Sequence, residues 1–410
     1  MPLIRPFAGL RPATSRAGEV VAPPYDVLNS EEARQRSKGR PWSFLHISKA
    51  EIDLPVGTDP YDPAVYARAA ENLQAMIAQG ILIRDDESCY YVYRLTMGDH
   101  VQTGLVAAAS VADYDSNRIR KHEFTRPAKE DDRVRQIEAL NAQTGPVLLA
   151  YRSQPDIDRL LATVTAAAPE YDLTADDGVG HTFWVVRDRA LIEQLSNGFD
   201  AMEALYIADG HHRSAAASRI AAALGRQPDA MSNYFLSVIF PHNQMKILDY
   251  NRAVKDLNGL SADQLLEKIS MAFDVKEEQS AYAPAQPGEY GMYLQGRWHR
   301  LMVHRDLVPE DPVARLDVSL LASHLLEPVL GISDPRRDPR IDFIGGIRGL
   351  GELEKRVDSG EMAVAFSMYP TSMDDLMAVA DANEVMPPKS TWFEPKLADG
   401  LISHVLDDDR

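Results

Sequence analysis

A run of five polar or conformationally special residues stands in the middle of the chain: Asp209, Gly210, His211, His212 and Arg213. The apolar residues 205–208 before it predict a short strand, and residues 214–224, which include six alanines, predict a helix of small residues. The turn between them therefore opens a helix. The first backbone N–H groups of a helix have no internal acceptor and lie at the positive end of its dipole, so this turn favours an anion.

The side chains of the turn favour the same ligand. Glycine lets a backbone approach a ligand closely, and the planar guanidinium of arginine matches the geometry of a phosphate. The imidazoles and a hydroxyl add further donors. We predict that the phosphates of a nucleotide bind here, held by five residues: Gly210, His211, His212, Arg213 and Ser214.

Asp209 needs a separate explanation, because a carboxylate beside a phosphate repels it. It could take a proton from a hydroxyl nucleophile, or bind a magnesium ion that bridges phosphate oxygens. We predict both a catalytic and a metal-binding role for Asp209. Two alternatives stay open: Asp209 only caps the helix, or the adjacent His211 and His212 hold a metal. Neighbouring helical side chains diverge by roughly 100 degrees, which disfavours the second alternative.

A second group of reactive side chains lies in residues 118–126, the densest basic stretch of the chain. Glu123 has four cations nearby, which would keep its carboxylate ionised and in place. Such a carboxylate suits a general base or the recognition of a substrate amine. We predict that Glu123 is catalytic and that its neighbours Lys121, His122 and Arg126 contact the substrate. The alternative is a solvated basic loop before a charged helix.

Two further segments have no assigned role. The loop Pro23-Pro24-Tyr25-Asp26 is either a rigid site loop or a structural turn. Lys389-Ser390-Thr391 resembles the end of a phosphate loop, but the glycines that a Walker-type site requires upstream are missing.

The elements that must position these groups alternate between helix and strand. Residues 63–79 and 128–141 have the spacing and capping residues of helices, and 318–330 predicts an amphipathic helix. Residues 88–97 and 102–111 predict a hairpin around Gly98-Asp99, and 42–48 predicts a strand. The pattern predicts a mixed α+β (α/β) fold. We divide it into an α+β region 1–111, a core 112–257 and a second α+β region 258–410.

Composition restricts the partners. The 410 residues carry a formal net charge of −18, which disfavours nucleic acid and anionic membranes as partners. No apolar run approaches the roughly 18–20 residues that span a bilayer, and no signal-peptide pattern opens the chain. The single cysteine, Cys89, cannot form an intramolecular disulfide. We expect a cytoplasmic protein, and a homodimer is compatible with the sequence.

Nearly the whole chain resembles a bacterial and archaeal family catalogued as a domain of unknown function, number one thousand and fifteen. Five stretches carry the resemblance: Arg5-Pro6-Phe7, Ala22-Pro23-Pro24-Tyr25-Asp26-Val27, Arg120-Lys121-His122-Glu123, Ala208-Asp209-Gly210-His211-His212-Arg213 and Met386-Pro387-Pro388-Lys389-Ser390-Thr391.

The Asp-Gly-His-His-Arg turn also resembles the phosphate-binding motif of the ParB/sulfiredoxin-like superfamily, which includes kinases that phosphorylate free L-serine. The resemblance implies a ParB/sulfiredoxin-like core with inserted and flanking subdomains. It also implies ATP or ADP and Mg²⁺ as cofactors, a small hydroxyl amino acid as substrate, Glu123 as base and the turn 209–213 as phosphate site. About eighty residues separate the two motifs, more than a minimal core of this kind needs.

Two functions follow from this site. The first is an ATP-dependent kinase that converts L-serine to O-phosphoserine. The second is a nucleotide-binding regulator of the ParB type without kinase activity, against which the acidic net charge and the lack of a long basic helix count if DNA is the partner.

Overall fold

The computed structural model describes residues 1–225 and 229–406 and confirms the predicted mixed α+β fold. Contacts divide the chain into two compact units, the first Met1–Met245 with Pro395–Arg410 and the second Lys246–Glu394. The division into regions 1–111, 112–257 and 258–410 stays a prediction. No helix in the described ranges combines the length and apolar character needed to cross a membrane.

The strands are numbered in chain order: β1 (Ile4–Arg5), β2 (Gly9–Pro12), β3 (Leu82–Arg84), β4 (Tyr90–Met97), β5 (His100–Ser110), β6 (Ile119–Arg120), β7 (Ala142–Gln143), β8 (Val147–Tyr151), β9 (Tyr171–Thr174), β10 (Gly180–Val186), β11 (Leu205–Asp209), β12 (Tyr234–Pro241), β13 (Lys246–Leu248), β14 (Tyr250–Val254), β15 (Phe273–Glu278), β16 (Glu289–Leu294), β17 (Arg297–Val303), β18 (Ile341–Gly345), β19 (Val364–Met368), β20 (Trp392–Glu394) and β21 (Ser403–Val405).

The α-helices are numbered in the same way: α1 (Ala17–Val20), α2 (Ser30–Ser37), α3 (Leu45–Ser48), α4 (Pro63–Ala78), α5 (Val111–Asp115), α6 (Pro127–Leu140), α7 (Pro155–Thr165), α8 (Arg189–Asp200), α9 (His211–Ala223), α10 (Ala262–Ile269), α11 (Asp317–Leu321), α12 (Leu350–Asp358) and α13 (Met373–Asp381).

The large sheet of the first unit has the strand order β6-β11-β8-β12-β5-β4-β10-β9, with β1 paired to β5. The pair of strands that positions the candidate residues is β6 with β11. The two strands run parallel, with Leu205 opposite Ile119 and Tyr206 opposite Arg120. Parallel neighbours end at the same edge of a sheet. The segments that follow them, 121–126 and 209–213, must therefore leave the sheet side by side.

Small residues let helix α9 pack closely. Ala217 and Ala221 belong to the core under the large sheet, while Ala216 packs with Ile137 of α6 and Leu406. Ala216, Ala217 and Ala221 have no exposed surface. Because close-packed interiors tolerate little displacement, the start of α9 is fixed relative to β11.

The second unit contains a six-stranded antiparallel sheet in the order β15-β17-β16-β19-β14-β18. Helix α12 packs on it, contributing Leu353 to a core with Ile344 and Ala365.

The structure confirms the helices predicted at 63–79 and 128–141 and the hairpin around Gly98-Asp99. The strand predicted at 42–48 is wrong, since α3 occupies most of this segment. Phe44, Leu45 and Ile47 are all buried, and so short an apolar run carries no period that separates helix from strand. The helix predicted at 318–330 is α-helical only as far as α11 and continues as a π-helical turn over Ala322–Leu326.

Candidate active site

The turn after β11 is built around Gly210. This residue is the N-cap of α9 and has φ 99° and ψ 27°, in the left-handed region that glycine adopts without steric cost. A Cβ at this position would lie 3.1 Å from Nε of Arg213. The arginine therefore packs directly over the glycine backbone.

The first turn of α9 leaves donors available. The N–H groups of Arg213 and Ser214 donate to the Gly210 carbonyl. Those of His211 and His212 have no intrahelical acceptor by position, as at every helix start. The role of Ser214 as a phosphate ligand stays a prediction, and its buried hydroxyl donates to the His211 carbonyl at 3.1 Å.

The segment 121–126 lies against this helix start, as the parallel pairing of β6 and β11 requires. The His122 N–H donates to Nε2 of His211 at 3.4 Å, and the Arg126 N–H donates to Nε2 of His212 at 3.1 Å. The two groups of residues singled out in the sequence therefore form one site. The histidines of the turn hold the segment that carries Glu123.

Glu123 faces His211. One carboxylate oxygen lies 3.7 Å from Nδ1 of His211. Because Nε2 of His211 accepts a backbone N–H, the proton of the neutral ring must sit on Nδ1, pointing to Glu123. Burial lowers the pKa of His211 well below its usual value, and His122 lowers it further. His211 is therefore neutral, and its Nδ1 lies near an exposed carboxylate but beyond hydrogen-bond distance.

His122 is 2% exposed, and its Nδ1 has no hydrogen-bond partner among the described residues. Burial lowers its pKa to about 4, so the ring is neutral at physiological pH. Ligand atoms of His122, Glu123 and His211 lie within 4.8 Å of one another, close enough to consider a metal. The proton on Nδ1 of His211 faces that space, which favours hydrogen bonding over coordination there.

Asp209 is held between two cations. Its Oδ2 lies 3.3 Å from Nζ of Lys396 and its Oδ1 lies 3.8 Å from the Arg213 guanidinium. Burial raises the pKa of Asp209, but Lys396 and Arg213 outweigh this and hold it well below its usual value. The side chain is 34% exposed, so its ionised oxygens, the ligands Mg²⁺ prefers, remain accessible.

Arg213 is only 12% exposed, and much of its guanidinium is used inside the protein. NH1 donates to the Pro146 carbonyl. Although burial lowers its pKa, the surrounding acidic groups Asp209, Asp26, Tyr25 and Asp399 raise it above its usual value. Phosphate binding by Arg213 stays a prediction, and its guanidinium lies against the Gly210 backbone.

The loop 23–26, which the sequence left without a role, reaches the same place. The Tyr25 N–H donates to Oδ2 of Asp399 at 3.2 Å, and the Tyr25 ring packs 4.0 Å from the guanidinium of Arg133. Sequence reasoning missed Lys396 and Asp399 entirely. Both lie nearly 200 residues beyond the turn, and no local pattern connects them to it.

The remaining substrate candidates point in different directions. Lys121 donates to the Tyr114 carbonyl at 2.8 Å and lies 3.9 Å over the Tyr114 ring, so its ammonium is committed there. Arg126 is exposed and lines a cavity of about 380 Å³ together with His212, Lys49 and Lys129. A second cavity of about 350 Å³ is lined by Lys396, Trp42 and the loop 23–24. Both have the size of small-molecule sites.

The family model described as "Protein of unknown function (DUF1015)" matches residues 4–319, and the chain belongs to this family. No curated protein matches the chain.

Solved structures with a similar course of the chain include three that share 12–15% identity with it. A conserved hypothetical protein from Pyrococcus furiosus has a TM-score of 0.35, with 73% of this chain and 95% of that chain covered. A free serine kinase variant in complex with AMP has a TM-score of 0.35, with 70% of this chain and 87% of that chain covered. SbnI with a C-terminal truncation, from Staphylococcus aureus, has a TM-score of 0.39, with 73% of this chain and 87% of that chain covered.

Proposed function

We propose that this protein is a small-molecule kinase that transfers a phosphoryl group from ATP, or from ADP, to the hydroxyl of free L-serine. One observation carries the proposal: the Glu123 carboxylate lies 3.7 Å from Nδ1 of His211, in the first turn of α9. A general base thus stands beside backbone donors suited to phosphate.

The reaction needs little covalent chemistry from the protein. The serine oxygen forms a bond to the terminal phosphorus as the bond from that phosphorus to the bridging oxygen breaks, and the nucleotide leaves with one phosphate fewer. Glu123 accepts the hydroxyl proton, and Nδ1 of His211 lies 3.7 Å from its carboxylate. Phosphoryl transfer depends mainly on positioning and charge compensation, which fixed donors at α9 would provide.

The proposal gives the neighbouring groups defined tasks. Asp209 would hold Mg²⁺, which when bound neutralises charge on the phosphates. His122, whose buried Nδ1 has a lone pair and no partner among the described residues, would accept a hydrogen bond from the substrate amine. Arg126, at the cavity beside His212, would bind the substrate carboxylate. The ParB/sulfiredoxin-like relationship of the core is part of the same proposal.

The test measures product directly. Purified full-length protein is incubated with Mg²⁺ and either ATP or ADP, together with L-serine, L-threonine or L-homoserine, and phosphorylated amino acid is quantified. Glu123→Gln is expected to slow turnover by about 10² to 10⁴-fold while nucleotide affinity stays within about twofold, because only proton transfer is lost. The matched control Glu203→Gln removes an exposed carboxylate paired with Arg120, and should leave turnover unchanged.

Two outcomes count against the kinase. Nucleotide binding without phosphorylation of any of these amino acids would favour the regulator instead. Full activity of Glu123→Gln would remove Glu123 from the role of base.

A further inference from the structure

The second unit buries an arginine that forms no ion pair with any residue that the structure describes. Arg252 lies on β14, an interior strand of the six-stranded sheet, and is 4% exposed. Within the described ranges no carboxylate lies at ion-pair distance from it. Its guanidinium donates to the backbone carbonyls of Tyr250 and Lys389, and packs 5.2 Å from the Phe343 ring.

Other partly buried arginines of this unit are neutralised. Arg340 pairs with Asp338 and Asp256, and Arg356 pairs with Asp342 and Glu352. Burial lowers the pKa of Arg252 to about 10, which still leaves it charged at physiological pH. Buried charges are normally paired, because removing them from water is costly. Arg252 thus departs from the pattern of its own unit.

Arg252 lines a cavity of about 250 Å³. Ser319 and Ser323 line it as well, and the Ser323 hydroxyl donates to the Leu320 carbonyl of its own helix at 3.4 Å. Two carboxylates also line it but do not neutralise Arg252. Asp334 binds Arg336 at 2.9 Å, and Glu327 is exposed to water.

Another part of the wall comes from the segment 386–391, which the nucleotide site does not use. Pro387 and Pro388 line the cavity. Lys389 has φ 59°, a strained backbone for a residue with a Cβ, and its carbonyl accepts from Arg252 at 2.9 Å. Strained residues persist where the surroundings fix them, and they are frequent at ligand sites.

The helical wall is irregular as well. Ser323 and Leu326 lie in the π-helical turn that interrupts the helix after α11. Such turns are rare and occur often at functional sites. Arg252 and the π turn therefore line one cavity, and the left-handed Lys389 next to its wall holds Arg252 through a carbonyl.

We infer that the cavity between β14, the π turn and the segment 386–391 binds a small anion, a carboxylate or phosphate group that Arg252 holds in bidentate fashion. Ser319, which also lines the cavity, would supply a further hydroxyl donor. The site lies wholly in the second unit and is independent of the kinase proposal. An arginine fork binds either group well, so the chemistry is shared and the two sources are separated by experiment.

A tryptophan in this unit reports on the site. Trp392 packs edge-on against Tyr250 at 5.3 Å, and Tyr250 in turn contacts the cavity residue Phe343. Full-length protein labelled with 5-fluorotryptophan has four ¹⁹F resonances, one for each tryptophan of the sequence. Trp392→Phe identifies the one of interest.

Inorganic phosphate and succinate are titrated separately at constant ionic strength. We expect at least one to shift the Trp392 resonance along a saturable curve. Arg252→Met should weaken that response at least tenfold, because the anion loses its cation. The control Arg297→Met changes an exposed arginine of the same unit that pairs with Glu277, and should leave the curve unchanged.

The two anions separate the sources: saturation by phosphate alone assigns a phosphorylated ligand, and saturation by succinate alone a carboxylate. A resonance that neither anion moves would overturn the inference. So would equal responses of Arg252→Met and the unmodified protein. Because the reporter lies in the second unit, loss of ATP binding or of kinase activity cannot produce either result.

Discussion

The two aspartates near Arg213, Asp209 and Asp399, differ in how well nearby groups stabilise a negative charge. Asp209 has a cation at each oxygen and stays ionised. Asp399 is 2% exposed, accepts a hydrogen bond from Tyr25 through Oδ2, and has no hydrogen-bond partner for Oδ1 among the described residues. Burial raises its pKa to about 7, although Arg213 acts in the opposite direction.

This difference predicts a pH-dependent stability. Between about pH 4 and pH 7 folded Asp399 keeps a proton that the unfolded chain has released, so its contribution to stability is lost as the pH rises through about 7. The difference between this pKa and the roughly 3.9 of an unfolded aspartate corresponds to about 4 kcal/mol in the free energy of unfolding. Asp399→Asn cannot ionise, and should be more stable than the unmodified protein at pH 8 but similar at pH 4.

Urea unfolding at both pH values measures the effect. Asp99→Asn, which changes an exposed acid in the β4–β5 turn, is the control and should alter neither midpoint. Equal destabilisation of Asp399→Asn at the two pH values would mean that Asp399 does not titrate in this range.

The turn and the elements around it could be predicted from local sequence, but the residues that reach the site from distant segments could not. The strand, Gly210 and the alanine-rich helix follow one another along the chain, so propensity and capping rules placed them correctly. Lys396 meets Asp209 across 187 residues, and a contact of that range leaves no local signal. Residue type alone also did not indicate that the Ser214 hydroxyl donates to the His211 carbonyl of its own helix.

Elements add a second constraint, because α9 must start at a fixed point against β11. Gly210 allows α9 to start there for two reasons. Its φ of 99° is one that glycine adopts readily, and the missing Cβ leaves room for Arg213. The strand predicted at 42–48 shows why short elements are harder to predict. Without enough residues to display a period, burial alone does not distinguish α3 from a strand.

Replacing Gly210 therefore tests the geometry of the turn. Gly210→Ala adds left-handed strain, typically about 1–2 kcal/mol, and a close contact with Arg213. We expect a lower urea midpoint and a weaker thermal shift with ATP, because the backbone donors move. Gly80→Ala is the control, since Gly80 also has a positive φ, 65°, but open space where the Cβ would be.

The control isolates the contact from the strain. Gly80→Ala should lose stability through backbone strain alone and keep its response to ATP. Unchanged nucleotide binding in Gly210→Ala would separate this turn from the phosphate site.

A segment near the C-terminus belongs to the same compact unit as the N-terminal residues. After the second unit, residues from Pro395 onward return to the first unit. There β21 pairs with both β2 and β7, and Leu401 and Ile402 are buried. The last residues therefore complete both a sheet and the charge balance of the candidate active site.

A truncation tests how much the first unit depends on this return. A chain ending after Glu394 lacks β21, Lys396 and Asp399. We expect β7 to lose protection in hydrogen exchange because it pairs with β21, and β2 to lose it along the edge that faced β21 while it keeps its pairing with β3. Strands β14 and β19 should keep their protection. A chain ending after Leu406 retains β21 and serves as the control. If β2 and β7 remain equally protected in both chains, the first unit is stable without its C-terminal strand. The segment after Glu394 would then act on the candidate site only through the contact of Lys396 with Asp209.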